Sequence, residues 1–259
     1  MRQLMCALVL AASVAACGGG DDDADADSAS TTTTTALEPA PQDTAPPDTG
    51  GAAPAQDRAA DQALAESIVL RAGDAPAGWT SEPPDDEDDS EYDRRYAECV
   101  GVPFEHVDPD FPEARGHDLT APDDSEVSSG AVVAPSVEAA QPLLAAYRDP
   151  DTPACFTDVL EDVMLDALAE GGTTDATVQR PTFEPLPFAD LGDETVAFRV
   201  TMTISGGSGQ TLEVFADAIL VRSGRVAVDA LFLSLFEPLP AATSESLVRV
   251  MVDRIPANA

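Results

Sequence analysis

Between residues 195 and 236 apolar and polar positions alternate, and this stretch sets the expected architecture. Val196, Phe198, Val200, Met202 and Ile204 alternate with Thr195, Arg199, Thr201 and Thr203, the period of a half-buried strand. Gly206-Gly207-Ser208-Gly209 reads as a hairpin loop, and Leu212 to Arg222 as a second strand. Ser223-Gly224 makes a tight turn into a third strand, Val226 to Phe236, whose end is apolar on both faces and therefore central.

Upstream the period changes to that of helices. Phe156, Val159, Leu160, Val163 and Ala167 recur at i, i+3, i+4, with Thr152 as N-cap, Pro153 at the first helical position and Gly171-Gly172 as the stop. Leu143, Leu144 and Tyr147 predict a short helix whose first half is weakened by Pro142. Glu126 to Ala134 reads as a strand closed by Pro135. Asp57 to Arg71 has helical spacing with Leu64 and Ile68 on one face, and a last helix starts at Thr243 with Leu247, Met251 and Ile255 aligned. Trp79, the only Trp, is expected to anchor the core just after Gly78. Residues 81–96 read as a charged loop, and 99–124 lack periodicity. The order helix, strand, helices, strands, helix predicts an α+β domain: an antiparallel sheet, a C-terminal three-stranded meander plus additional strands, with helices packed mainly on one face.

The first residues follow a different logic. Arg2 precedes an apolar run from Leu4 to Ala12, far short of the roughly 20 residues of a spanning helix. Val14-Ala15-Ala16-Cys17 then matches a bacterial lipobox, with cleavage between Ala16 and Cys17 and lipid on the Cys17 thiol. Acyl chains at roughly 0.8 kcal/mol per buried CH2 would hold the chain to a membrane. Residues 1–16 are thus expected to be a signal peptide and 17–57 an acidic, Thr- and Pro-rich tether with a coil span of roughly 35 Å. Residues 58–259 form one globular domain.

Composition narrows the partners. The 259 residues carry 48 acidic groups against 13 basic ones, a net charge of -35, and every basic residue is Arg. Such a charge repels phosphate backbones and anionic headgroups, so nucleic acid is excluded as a partner and the membrane is reached through Cys17 alone. Of the four Cys, Cys6 is lost with the signal and Cys17 takes the lipid. Cys99 and Cys155 remain, and in an exported chain an oxidised pair is the default. It would close a loop of roughly 55 residues and stabilise the fold by about 4 kcal/mol in the chain-entropy account. A two-thiolate metal site or a redox dithiol is the alternative.

Residues suited to chemistry are few. No P-loop, dinucleotide fingerprint or H-E-x-x-H occurs, so neither cofactor nor enzymatic activity is expected. Gly206 to Gln210 only superficially resembles a nucleophile elbow. Asp85-Asp86-Glu87-Asp88-Asp89 reads as a solvated run rather than a Ca2+ loop. His106 and His117, with Asp108, Asp110 and Asp118 nearby in sequence, form the one set that would suit Zn2+ or Mn2+ in a metal-dependent hydrolase. Asp217 and Asp229 lie on strands expected to pair and would make a carboxylate pair if they shared a face. Arg199 and Arg222 would neutralise them or line a pocket for an anionic ligand.

The body from about residue 64 to 255 resembles the extracellular sensor domain of PknH-type bacterial serine/threonine kinases and the lipoproteins that share it. The resemblance rests on Asp74-Ala75-Pro76-Ala77-Gly78-Trp79, Cys99 after a polar loop, a strand ending Val132-Val133 and the helical Ala139-Ala140 segment. It continues with Cys155 opening a helix, the Gly224 turn flanked by Arg222 and Arg225, and the terminal Leu247–Arg254 helix. It implies an antiparallel sheet flanked by helices, a cleft that receives a ligand, and no enzymatic activity. Family members often carry two disulfides where this chain forms one, and no kinase domain is present. The resulting expectation is a lipid-anchored, extracytoplasmic binding domain; the competing readings are a lipid or glycolipid carrier and the His106/His117 hydrolase.

Overall fold

The computed structural model describes residues 55–84, 90–149, 151–170, 177–206, 211–257 and 259. The signal, Cys17, nearly all of the tether and the Asp85–Asp89 run lie outside these residues. Among the described residues there are five α-helices and an eight-stranded antiparallel sheet.

In chain order the elements are α1 (Ala55–Ile68), β1 (Thr80–Glu82), α2 (Ser90–Val100), β2 (Glu113–Arg115), β3 (Asp118–Thr120) and β4 (Glu126–Val133). Then come α3 (Val137–Ala145), α4 (Thr152–Glu170), β5 (Thr177–Pro185), β6 (Glu194–Ser205), β7 (Thr211–Ser223), β8 (Val226–Leu235) and α5 (Ala241–Val252). The sheet runs β1-β3-β4-β8-β7-β6-β5, with β2 also paired to β4. The α+β architecture and the C-terminal meander are as expected, and the meander gains a fourth strand, β5. β8 is central, between β7 and β4, because its apolar residues point both ways and need cover on two faces.

Parity along the strands divides the core in two. On one face Phe198, Val200, Met202, Ala216, Leu220 and Leu231 pack under α2, α3 and α4. Their layer is filled with rings: Phe183 stacks on Phe198 at 4.5 Å between centroids, and Phe156 meets Phe198 edge-on at 5.5 Å. On the other face Ile219, Val221, Val228, Ala230 and Phe232 pack with α1 and α5. Three of the five helices therefore lie on the first face. Trp79 is half-buried in the second core, as an anchor.

Several details differ from expectation. Residues 90–100 form α2 rather than part of a charged loop: Asp93, Tyr96, Ala97 and Val100 face inward at helical spacing, and Tyr96 is fully buried. The stretch without periodicity holds two three-residue strands, β2 and β3, too short to show alternation. β5 contains Pro181 and Pro185, which belong only on an edge; the register shifts between Gln179 and Thr182. α1 begins at Ala55 and stops at Ile68, α3 begins at Val137 and contains Pro142, and α5 begins at Ala241. The expected hairpin loop after β6 falls on residues 207–210, outside those described.

α1 is fixed by long-range polar contacts. Arg225 donates to Asp61 at 2.6 Å and to the Ala134 carbonyl at 2.9 Å. Just beyond α1, the Leu70 N–H donates to Ser129 Oγ at 3.1 Å, and Arg254 donates to Asp74 at 2.6 Å.

Candidate functional site

The four side chains singled out from the sequence do not form one site. β7 and β8 pair with Asp217 opposite Phe232 and Asp229 opposite Leu220. Residues paired across a ladder share a face, so Asp217 lies on the α1/α5 side and Asp229 on the α2–α4 side. A carboxylate pair is ruled out by this register. Asp217 is instead held by Arg199, its cross-strand partner: Nε donates to Oδ1 at 2.5 Å and Nη2 to Oδ2 at 2.6 Å. The Asp217 side chain is 5% exposed and that of Arg199 26%. This bidentate bond raises the Arg199 guanidinium further above its usual value, opposed by its partial burial. Arg222 is used elsewhere, donating to Glu194 at 3.0 Å, a carboxylate it shares with Arg148.

Cys99 and Cys155 form a disulfide, with Cα atoms 5.5 Å apart. It ties the end of α2 to the first turn of α4, beside the buried Tyr96. Burial pushes the Tyr96 phenol up to about 12, against its 3.4 Å hydrogen bond to Thr152, which lowers it; Asp149 adds a smaller raising effect.

The two histidines stand apart from any metal arrangement. His106 closes a 3-10 turn, Phe104–His106, beside α2. His117 donates its N–H to the Leu70 carbonyl, and its Nδ1 lies 3.0 Å from Ser81 Oγ. Among the described residues no group of three or more His, Cys, Asp and Glu is placed to hold a metal ion.

Asp229, by contrast, opens into a cleft. The cleft lies on the disulfide-bearing face, between β4, β8, α3 and the 107–115 segment, with a volume of about 100 Å³. Asp93, Asp108, Glu113, Asp229 and Arg115 supply its charge, and Val107, Leu143, Leu144, Tyr147 and Leu220 its apolar wall. Gly130 makes the cleft possible. It sits opposite Asp229 in the ladder, and a Cβ there would be 2.5 Å from Asp229 Oδ1. The carboxylate therefore lies over bare backbone. Among the described residues it makes no hydrogen bond or ion pair.

An adjoining open recess of about 440 Å³ is lined by Arg58, Gln62, Asp110, Phe111 and Pro112 and shares Asp108, Pro109 and Glu113 with the cleft. Arg58 donates to Asp110 at 2.5 Å across it. Sequence reasoning picked out Asp229 and Asp108 but missed the site. Its signal is slight: a Gly between Ser129 and Ala131 in a strand, and an Asp inside the most apolar strand.

A second acidic feature lies on the same face. Burial raises the Glu126 carboxyl above its ordinary value, and Asp118, Asp124 and Glu82 raise it further, in that order.

No family model matches the sequence, and no curated protein matches it. Among solved structures, the chain is similar to the extracellular domain of PknH from Mycobacterium tuberculosis, at 14% identity and a TM-score of 0.26. That alignment covers 53% of this chain and 61% of the PknH domain. Overlap at this level carries no argument about ligand or mechanism. Among the described residues no helix is long and apolar enough to cross a membrane.

Proposed function

We propose that the chain is a non-enzymatic binding domain of the cell envelope, anchored by lipid on Cys17 and facing the extracytoplasmic side. The observation that carries the binding reading is the cleft over Gly130, where an Asp229 carboxylate without a partner among the described residues meets aliphatic and aromatic walls. A polar group placed among apolar walls is the usual makeup of a recognition site. The Val14–Cys17 motif supports the anchor, and the Cys99–Cys155 disulfide suits an oxidising compartment. The ring-filled layer on the same face lends no support to a lipid carrier.

Native mass spectrometry of the full chain extracted from envelopes tests both halves. The expected spectrum shows a diacylglyceryl-modified N-terminal Cys17 and a non-covalent occupant that Gly130→Ala abolishes. An unmodified Cys17 removes the anchor. An occupant unaffected by Gly130→Ala removes the cleft as the binding site.

A further inference from the structure

Phe236 stands in solvent on a strained backbone. At the end of β8 its N–H donates to the Glu213 carbonyl at 2.9 Å, and the Glu237 N–H turns back to the Leu235 carbonyl at 2.9 Å. Phe236 is the centre of that three-residue turn, with a φ of 69°, the rarer and strained hand of γ-turn and a region that bulky side chains avoid. Its side chain is 65% exposed, so burial does not offset the strain. Glycine or asparagine would hold the same turn with less strain. A strained residue that the fold does not require points to a role outside the fold.

Phe236 also ends a row of incompletely covered aliphatic side chains. Val178, Ile204 and Leu212 are successive ladder partners across β5, β6 and β7; all three are half-buried, as is Leu235 beside Phe236. One pleat further in, Met202, Val214 and Leu233 are buried. From β5 to β8 the row crosses three inter-strand spacings, about 14 Å, the rise of about nine helical residues. It lies at the opposite end of β7 and β8 from the cleft, whose wall takes Leu220, Ala227 and Asp229.

The rest of the chain narrows what can cover this row. Residues 171–176 and 207–210, which lead into β5 and β7, carry no apolar side chain larger than alanine, and residues 17–54 carry only Leu37. A net charge of -35 opposes both a second copy and an anionic headgroup layer. It favours a basic partner. Glu213 and Glu237, both exposed and without a side-chain partner among the described residues, adjoin Leu212 and Phe236.

We propose that the Val178–Ile204–Leu212 row docks a basic amphipathic helix of a partner protein, with Phe236 as the aromatic anchor and Glu213 and Glu237 facing its basic flank.

The test uses the full chain in zwitterionic lipid nanodiscs, with empty nanodiscs as the blank. The probes are a helical Leu/Lys peptide and a Leu/Glu peptide of the same apolar pattern. The Leu/Lys peptide binds and the Leu/Glu peptide does not. Phe236→Gly weakens binding at least about tenfold while Tm stays level or rises, because glycine relieves the turn. Phe236→Asn, which also tolerates this backbone, repeats the result should the glycine variant fail to fold. Glu237→Gln weakens binding about two- to threefold and flattens its salt dependence. Val137→Ser, at an exposed apolar residue opening α3, leaves binding unchanged. A fall in Tm with both Phe236 variants would make the ring structural and overturn the proposal. Binding that survives Phe236→Gly would mean attraction to the acidic surface at large and would also overturn it. Equal binding of the Leu/Glu peptide, or failure of the Leu/Lys peptide, removes the basic helix as occupant. A dimer in sedimentation that Phe236→Gly abolishes replaces the partner with a second copy and overturns the proposal as stated.

Discussion

The two faces of the sheet use the same strands and differ in what they leave unsatisfied. On the α1/α5 face three acidic side chains are held by arginines: Asp217 by Arg199, Asp61 by Arg225, Asp74 by Arg254. On the disulfide-bearing face Asp229 ends in a cleft with no partner among the described residues. Both Asp217 and Asp229 lie on the β7–β8 hairpin, at positions that differ only in which way the pleat turns. Strand parity separates a carboxylate that is paired on one face from one that opens into a cleft on the other.

The largest expected effect tests whether the ring-filled layer under α4 carries stability as well as shape. Phe198→Ala removes a nearly fully buried ring from the centre of that layer and should cost about 3–5 kcal/mol, read as a shift in urea midpoint at constant m. A loss below about 1 kcal/mol would mean that the layer is loosely packed and that the contrast between faces lies elsewhere. Reduction of Cys99–Cys155 should cost about 2–4 kcal/mol, because the unfolded chain regains a loop with a sequence separation of 56 residues. Hydrogen exchange should show the α2 end opening before α1, since the bridge lies on one face only.

Next in size is the Arg199–Asp217 pair. Arg199→Met leaves the Asp217 carboxylate buried and uncompensated and should cost about 2–3 kcal/mol. Adding Asp217→Leu should recover most of that loss, since two apolar groups of similar volume replace two charges. If the double variant is no more stable than the single one, the pair does more than satisfy itself.

The smallest effect is on Glu126. Its folded pKa lies above the ordinary value of 4.5, so the ionised form is penalised in the folded state. That penalty is complete above the raised pKa and vanishes as pH falls toward 4.5. Glu126 is only half-buried and solvent screens its charge, so Glu126→Gln should raise Tm at pH 7 by the equivalent of at most about 0.5 kcal/mol and give no gain at pH 4. A gain of equal size at both pH values would point to packing rather than charge.

Much of the fold was legible because it follows local periodicity. The β6–β8 alternation, the Gly224 turn and the Leu247/Met251 stripe each carry their signal within a short window; α4 starts at Thr152, the residue expected to precede it as a cap. α2 was hidden because charged residues surround its inward positions, and a residue's neighbours in sequence do not reveal that Tyr96 is buried against Phe156 and Tyr147. β1, β2 and β3 are too short to repeat a pattern; β2 and β3 exist because β4 offers them an edge, and β1 because β3 does.

By itself the sequence determined the α+β class and the order of the main elements, and it set the expectations of a Cys99–Cys155 disulfide and of a lipid anchor. Each of these depends on residue types and short spacings. Only the tertiary structure decided where Asp217 and Asp229 point, because register is set by how β4 and β8 dock across nearly 100 residues of chain. It also brought Gly130, Asp93 and Asp229 to one cleft from three distant segments. A missing side chain on one strand makes room for a charge on the next only when pairing sets them opposite each other, and that pairing is a property of the folded chain.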